Sequence, residues 1–107
     1  MQLPQAIQAY FEADRDNNCE ALLDCFAANA AVHDEGRAHS GHHAISGWWE
    51  WAKARYRHVA EPLEAVSDEH GTKVIAQVTG AFPGSPANLT YVFHLAGDKI
   101  AALEIGA

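Results

Sequence analysis

Residues 26–36 constrain the fold of this chain more than any other stretch. They follow a helical region and precede a loop rich in His and Gly. Small apolar residues lead to Val32, and the ionisable group His33-Asp34-Glu35 comes directly after it. We predict a short strand that leaves a helical layer and ends in a carboxylate, which is a suitable place for a buried acid or base. The strand fits a small α+β domain with a pocket into which Asp34 points.

The spacing of apolar residues predicts two helices before this strand. The first covers residues 3–15. Asn17 or Asn18 then breaks the chain and caps a second, short helix that runs through Phe26. Because the connection between them is so short, the two helices are expected to form a helical hairpin.

After the strand, we expect a loop at residues 37–41 and a third helix over about residues 42–57. This helix has one broad apolar face. We assign Trp48 to the wall of a cavity and Trp49 to the core. Trp51 is off the apolar face, which leaves it for a cavity rim or a partner surface.

From Val59 onward, alternating apolar residues and turn signals predict a β-meander. Its strands are expected at residues 59–66, 74–82, 89–95 and 100–105. Pro62 marks the first of them as an edge or bulged strand. Three helices followed by such strands predict a cone-shaped α+β domain, with three N-terminal helices packed on a strongly curved antiparallel sheet.

Length and charge narrow the classes of protein. The 107 residues suffice for a single domain, 1–107. Fourteen acidic and seven basic residues give a net charge of −7, which argues against a nucleic-acid partner. No apolar run approaches the ~20 residues that a membrane helix needs, and the first residues do not resemble a signal peptide, so we expect a cytoplasmic protein without a membrane partner. Cys19 and Cys25 are expected to be packed thiols that cannot form a disulfide.

The whole order of elements resembles the nuclear transport factor 2-like (NTF2-like) superfamily, and most closely its SnoaL-like members, over about residues 3–105. Two motifs carry the resemblance: Phe26-Ala-x-x-Ala-Ala-Val32-x-Asp34 and Ser40-Gly41-x-x-Ala44-Ile45. The resemblance implies the fold. It leaves the activity open, because the superfamily includes isomerases, cyclases, epoxide hydrolases, dehydratases and plain binding domains.

A more distant resemblance, to the steroid delta-isomerases of this superfamily, assigns roles to single residues. Those enzymes use an aspartate base at the end of the first strand and a tyrosine on the first helix, which match Asp34 and Tyr10, 24 residues apart. Their protonated aspartic acid is replaced here by Tyr91. The resemblance thus implies catalytic roles for Asp34, Tyr10 and Tyr91, and a ligand-binding cavity lined by Trp48, Phe93 and Leu103.

Each of these residues also has a purely structural interpretation. Asp34 could cap a turn at the end of the strand or pair with Arg37. Tyr10 lies on the apolar stripe of its helix, where a core tyrosine is common, and an inward aromatic such as Tyr91 usually fills space.

The histidines near Asp34 invite a metal-site interpretation. His33 and Glu35 should point away from the pocket by strand alternation, and His39, His42 and His43 follow in the loop and the helix start. Transition metals need three or four convergent ligands, and adjacent histidines on a helix diverge. We therefore predict no metal and no other cofactor.

Three hypotheses for function remain. The first is a cofactor-independent acid/base enzyme, isomerase-like or polyketide-cyclase-like, that acts on an apolar oxygenated molecule with Asp34 as proton carrier. The second is a domain that binds a small apolar molecule without turnover, and the third is a dimeric interaction domain. A homodimer through the outer face of the sheet is expected, since Ile75, Val92 and Ala102 provide apolar material there.

Overall fold

Helices and strands follow each other in the predicted order, with one additional short strand between the first strand and the third helix. The computed structural model describes residues 2–107 of the chain. Its elements are α1 (Gln5–Arg15), α2 (Cys19–Asp24), β1 (Phe26–Asp34), β2 (Arg37–Ser40), α3 (Gly41–Tyr56), β3 (Val59–Asp68), β4 (Gly71–Thr79), β5 (Ala87–Ala96) and β6 (Lys99–Gly106). The α+β prediction with three N-terminal helices is confirmed.

The six strands of the described residues form one sheet in the order β2-β1-β6-β5-β4-β3. Neighbouring strands are antiparallel except for β1 and β6, which run parallel in the middle of the sheet. The sheet is therefore mostly, and not entirely, antiparallel. β3 lies at an edge, and its register shifts between Pro62 and Glu64, so Pro62 lies in a strand that is both edge and bulged.

An aromatic cluster between α1 and the sheet forms the centre of the core. Ile7, Tyr10, Phe11 and Asp14 recur at helical spacing on the buried side of α1. The rings of Tyr10 and Phe11 contact those of the strand residues Phe26, Tyr91 and Phe93, with ring centroids 5.2–6.4 Å apart. This packing fixes α1 over β5, with Tyr10 facing the interior.

The structure corrects the predicted end of the second helix. The helix ends at Asp24, and Phe26 is the first residue of β1. Of the two candidate caps, Asn18 is the one used: its side-chain oxygen accepts a hydrogen bond from the Ala21 amide at 3.1 Å. Phe26 is buried in the core, which its position at the head of a central strand explains.

Two further boundaries differ from the prediction. Residues 37–40, expected to be a loop, form strand β2, which pairs with the end of β1 through a two-residue turn. β4 ends at Thr79 and not at Phe82. After Thr79 the backbone of Tyr56 lies close to the chain, and the Ala81 amide donates its hydrogen bond to the Tyr56 carbonyl. Because this amide bonds outside the sheet, the strand does not continue to Phe82.

Trp49 and Trp51 have very different environments on α3. Trp49 is buried, as predicted, whereas Trp51 is 53% exposed. None of the helices within residues 2–107 has the length and apolar character needed to cross a membrane.

Candidate functional site

A cavity of about 350 Å³ lies beside the aromatic cluster and opens partly to solvent. It is bordered by α1, by α3 with the turn that follows it, and by the inner face of the sheet. Its lining consists of Tyr10, Asp34, Glu35, Trp48, Ala52, Tyr56, His58, Val78, Phe82, Pro83, Leu89, Tyr91 and Ile105. Most of these side chains are aromatic or aliphatic, and the ionisable ones are few.

Four of the six residues singled out from the sequence meet in this cavity: Tyr10, Asp34, Trp48 and Tyr91. The placement of Phe93 and Leu103 was wrong. Both are fully buried in the core and do not line the cavity. Phe93 lies under α1, where its ring contacts those of Tyr10 and Phe11, and Leu103 pairs in register with Phe93. Both side chains belong to the hydrophobic core.

Asp34 is the last residue of β1 and is half-buried. Its Oδ2 accepts a hydrogen bond from the indole Nε1–H of Trp48 at 3.0 Å. Asp34 faces Arg37 across the β1–β2 hairpin, but the ion pairs found in residues 2–107 do not join them. The carboxylate is therefore oriented by a tryptophan of α3, and the side-chain hydrogen bond found for it within residues 2–107 uses Oδ2 and not Oδ1.

Tyr10 and Tyr91 border the cavity as buried phenols whose ring centroids are 6.4 Å apart. Burial raises the pKa of Tyr10 well above its usual value, and the neighbouring Tyr91 and the carboxylates of Asp14 and Asp34 raise it further. The pKa of Tyr91 is raised in the same way, first by burial and then by Asp14 and Asp34. Both phenols consequently keep their protons and can act as hydrogen-bond donors.

The prediction that Glu35 points away from the pocket was wrong, because Glu35 lines the cavity. β1 ends at Asp34, and Glu35 has a positive φ of 53°, so strand alternation no longer applies to it. The Tyr56 hydroxyl donates to Glu35 Oε1 at 3.3 Å. This contact adds a second carboxylate to the cavity rim.

The histidines near Asp34 in the sequence lie in separate environments. His33 is exposed, and His42 Nε2 lies 2.9 Å from the Phe26 carbonyl oxygen. The ring of His39 is tilted against Trp48, 6.2 Å between centroids. Over the residues described, 2–107, no group of three His, Cys, Asp or Glu side chains is arranged to hold a metal ion.

Sequence reasoning missed two residues, His58 and Asp14. His58 lines the cavity. Its Nε2 lies 3.3 Å from Oδ1 of Asp14, which is 1% exposed and also accepts from Trp49 Nε1 at 2.9 Å. A signal was available for Asp14: an acid on the buried stripe of α1, four residues after Tyr10, must have polar partners inside the protein. No comparable signal marks His58.

Opposing effects act on the Asp14 carboxyl. Burial alone would raise its pKa. Hydrogen bonds from His58 and Trp49, together with the charges of Lys53 and of His58 once acid has protonated its ring, more than offset burial, so the pKa lies below its usual value. Lys53 Nζ is 3.2 Å from Oδ1. Asp14 is accordingly a buried, charged residue held by three partners.

Comparisons with known proteins agree with this architecture. The SnoaL-like domain model matches residues 7–103. A search of the curated proteins found no match. A crystal structure described as a "putative polyketide cyclase" from Sinorhizobium meliloti is 48% identical, with a TM-score of 0.94 over 96% of this chain and 94% of that one.

More distant structures share the fold alone. A hypothetical protein with a ketosteroid isomerase-like fold from Catenulispora acidiphila, in complex with trimethylamine, is 21% identical, with a TM-score of 0.86 over 99% of this chain and 87% of that one. An NTF2-like protein of unknown function from Cytophaga hutchinsonii is 11% identical, with a TM-score of 0.79 over 98% and 89%. The chain therefore belongs to the SnoaL-like domain family and has the NTF2-like, ketosteroid isomerase-like fold.

Proposed function

We propose that this protein is a cofactor-independent acid/base enzyme, isomerase-like or polyketide-cyclase-like, that acts on an apolar oxygenated small molecule. Asp34 would carry the proton, and Tyr10 and Tyr91 would donate hydrogen bonds to the oxygen on which charge develops. The observation that supports this most is the placement of the Asp34 carboxylate and two protonated phenols in a single, largely apolar cavity.

The geometry at Asp34 suits a proton carrier. Trp48 holds Oδ2 at 3.0 Å, so the carboxylate has a fixed orientation while Oδ1 remains for the substrate. A positioned carboxylate removes a proton from carbon next to a carbonyl group, and the electron pair of the C–H bond moves toward the carbonyl oxygen. Fixed donors near that oxygen stabilise the developing charge.

The size of the cavity and the nearest of the relatives described above support the same class of reaction. About 350 Å³ lies within the range of small-molecule sites, and aromatic walls favour an apolar molecule with few oxygens. The 48% identical protein from Sinorhizobium meliloti carries the description "putative polyketide cyclase". Polyketide chemistry moves protons at carbons next to carbonyl groups, which is the chemistry proposed for Asp34.

The test is proton exchange on a simple enolisable ketone. We expect the protein in D₂O to accelerate deuterium incorporation at the α-carbon of 2-tetralone above the buffer rate, measured by ¹H NMR. Asp34→Asn should lower the accelerated rate by about 10²-fold or more, since it removes the proton acceptor. Asn can still accept from Trp48, so its far-UV circular dichroism should match the wild type.

The matched control is Asp98→Asn, which changes an exposed acid in the β5–β6 turn, outside the cavity. With this variant, deuterium should enter 2-tetralone at the wild-type rate. Equal activity of Asp34→Asn and the wild type would contradict the proposal.

The partly open mouth of the cavity favours one competitor, a binding domain without turnover. Such a domain would bind 2-naphthol, which has the shape of the 2-tetralone enol, and yet show no exchange above buffer. Measuring both properties on the same sample separates the two functions.

A further inference from the structure

The turn between α3 and β3 brings an Asp–His pair to the cavity that Asp34 faces. We propose that His58, oriented by Asp14, is a second proton-accepting group of this cavity and recognises a hydroxyl group of the ligand. The inference rests on the proposed function only in requiring that the ligand occupy the same cavity.

The contact with Asp14 determines which nitrogen of His58 a ligand can use. Nε2 lies 3.3 Å from Asp14 Oδ1, so Nε2 carries the proton that faces the carboxylate. In that tautomer the lone pair is on Nδ1, which can accept a proton or a hydrogen bond. The His58 side chain is 15% exposed and borders the cavity, so Nδ1 is the ring nitrogen left for a ligand.

Asp14 is built to hold this ring in one orientation. Its carboxylate is almost completely buried, and Trp49 Nε1 donates to Oδ1 at 2.9 Å. Lys53 Nζ lies 3.2 Å from the same oxygen and balances its charge. A buried carboxylate that fixes the tautomer of a histidine is the arrangement by which proteins prepare an imidazole to accept protons.

The backbone of the turn is also fixed. Arg57 ends α3 in the left-handed region, with φ of 49°, and Lys53 Nζ donates to the His58 carbonyl. On the other side, a Cβ at Gly80 would lie 2.6 Å from the Tyr56 carbonyl oxygen and 3.1 Å from His58 Cα. β4 can therefore approach this turn only because position 80 is glycine. The position of His58 is set before any ligand binds.

The pair lies next to the site already described. Tyr10 and Asp14 are four residues apart on α1 and so occupy the same face, about one turn or ~6 Å apart along the helix. The charge of Asp14 also contributes to the raised pKa of Tyr10 and Tyr91. The cavity thus has donors at the two phenols and acceptors at Asp34 and His58, besides the rim carboxylate of Glu35, which accepts from Tyr56.

This division of donors and acceptors identifies a ligand class: a neutral molecule with a carbonyl oxygen for the tyrosines and a hydroxyl group for His58. When the hydroxyl group reacts, its O–H bond breaks, the electron pair stays on oxygen, and the proton moves to Nδ1. The imidazolium ion then returns that proton to the product. Asp34 handles the proton on carbon, and His58 handles the proton on oxygen.

Two naphthols test the inference by binding alone. 2-Naphthol carries one hydroxyl group, and 2,6-dihydroxynaphthalene carries a second at the far end of the same ring system. Since a hydrogen bond contributes about 0.5–1.5 kcal/mol, we expect the diol to bind the wild type ~2–10-fold more tightly by isothermal calorimetry. His58→Phe keeps a flat ring without an acceptor and should remove this advantage while binding 2-naphthol normally.

A matched control variant is His70→Phe, because the His70 side chain is 83% exposed in the β3–β4 turn and outside the cavity. It should keep the advantage of the diol. An equal advantage in His58→Phe and the wild type would overturn the inference.

A second measurement needs no variant at His58. In ¹⁵N-histidine-labelled protein, the diol should shift the Nδ1 resonance of His58 toward the hydrogen-bonded value, while 2-naphthol should leave it unchanged. Asp14→Asn should change the tautomer that the ¹⁵N spectrum of His58 reports in the free protein. A His58 resonance that the diol does not move would also overturn the inference.

The two proposals fail in different ways. If Asp34→Asn retains ketone exchange while the diol still engages His58, only the proposed function fails. If ketone exchange depends on Asp34 but the tighter binding of the diol does not depend on His58, only the further inference fails.

Discussion

Trp48, on α3, donates a hydrogen bond from its indole Nε1–H to Oδ2 of Asp34 at 3.0 Å. Trp48→Phe removes that donor while keeping an aromatic wall. We expect ketone exchange to fall about tenfold, because the carboxylate loses its fixed orientation toward the substrate. The α-exchange rate of 2-tetralone measures the effect.

Trp51→Phe serves as the control for this change, since Trp51 is 53% exposed and does not line the proposed active cavity. Its exchange rate should equal that of the wild type. If Trp48→Phe exchanges at the wild-type rate too, the orientation of Asp34 does not depend on this indole.

Asp14 makes stability depend on pH. Its pKa is lowered in the folded protein because its hydrogen bonds and neighbouring charges outweigh burial. A group whose folded pKa lies below its unfolded value, about 3.9 for Asp, stabilises the protein above that value. This stabilisation disappears as the pH falls through the lowered pKa. The wild type should therefore lose stability below about pH 4, as urea unfolding between pH 2.5 and 7 would measure.

The variant Asp14→Ala isolates this contribution. It removes the carboxylate that faces the nearly buried ends of Lys53 and His58, so the free energy of unfolding at pH 7 should fall by about 3 kcal/mol. The loss of stability on acidification should become smaller. Asp16→Asn changes an exposed acid of the same helix end, 66% exposed, and should leave both quantities unchanged. An unaltered pH dependence in Asp14→Ala would show that other groups cause the acid sensitivity.

For single residues, the sequence predicted those cavity residues that have a counterpart in a known family pattern. It missed the residues that only tertiary packing brings together. Tyr10 and Asp34 were found because their spacing matched the steroid isomerases. His58 follows a helix end in an ordinary sequence context, and only tertiary packing places it 3.3 Å from Asp14. The contact joins two residues far apart in the chain, which no local pattern encodes.

Among the elements, the end of β4 and the turn after α3 constrain each other. A Cβ at Gly80 would approach the Tyr56 carbonyl oxygen to 2.6 Å, and the Ala81 amide donates to that same oxygen. Gly80→Ala should push the turn away, lowering the free energy of unfolding by about 1–3 kcal/mol, as overpacking does. Urea unfolding measures the change.

Gly47→Ala, within α3, should change the free energy of unfolding in the opposite direction, because a new Cβ there would meet no atom within 4 Å. Alanine is favoured over glycine inside a helix, so this variant should be more stable by about 0.5–1 kcal/mol. If the two variants changed stability by the same amount in the same direction, the close approach at Gly80 would not be the cause.

The element that sequence reasoning missed, β2, shows why short edge strands are hard to predict. Its four residues are mostly exposed, so they lack the alternation of apolar residues on which strand prediction depends. The turn held the available signal. Glu35 and Gly36 both have positive φ, 53° and 75°, as in the two-residue turns that join hairpin strands. The pair Glu-Gly before a short polar segment was therefore a hairpin signal.

For the whole molecule, the pairing of the central strands could not be predicted from local pattern. β1 and β6 run parallel although they are separated by α3 and the meander of β3, β4 and β5. Alternation predicts which side chains face inward, but not which strand lies next to which, or how deep a residue lies. Phe93 and Leu103 were expected in the cavity wall, yet both are buried in the core and do not line the cavity.

The outer face of the sheet is where we propose that two copies of the chain pair. Val92 on β5 lies in register between Lys73 of β4 and Glu104 of β6. Val66, 67% exposed, extends the same row at β3, and Ile75 and Ala102 lie in the neighbouring rows. The face combines apolar side chains with charges of both signs, which a symmetric copy can complement.

Val92→Asp tests this proposal because its neighbours, one basic and one acidic, tolerate a new carboxylate in the separate subunit. In a dimer the same charge would lose its hydration at the interface, at a cost of about 3 kcal/mol, or a dissociation constant raised more than ~100-fold. Sedimentation equilibrium should show a wild-type dimer and a Val92→Asp monomer with wild-type circular dichroism. Leu63→Asp adds the same charge at the β3 bulge, at a side chain 48% exposed, and should remain dimeric. A monomeric wild type, or a dimer that survives Val92→Asp, would exclude pairing through this face.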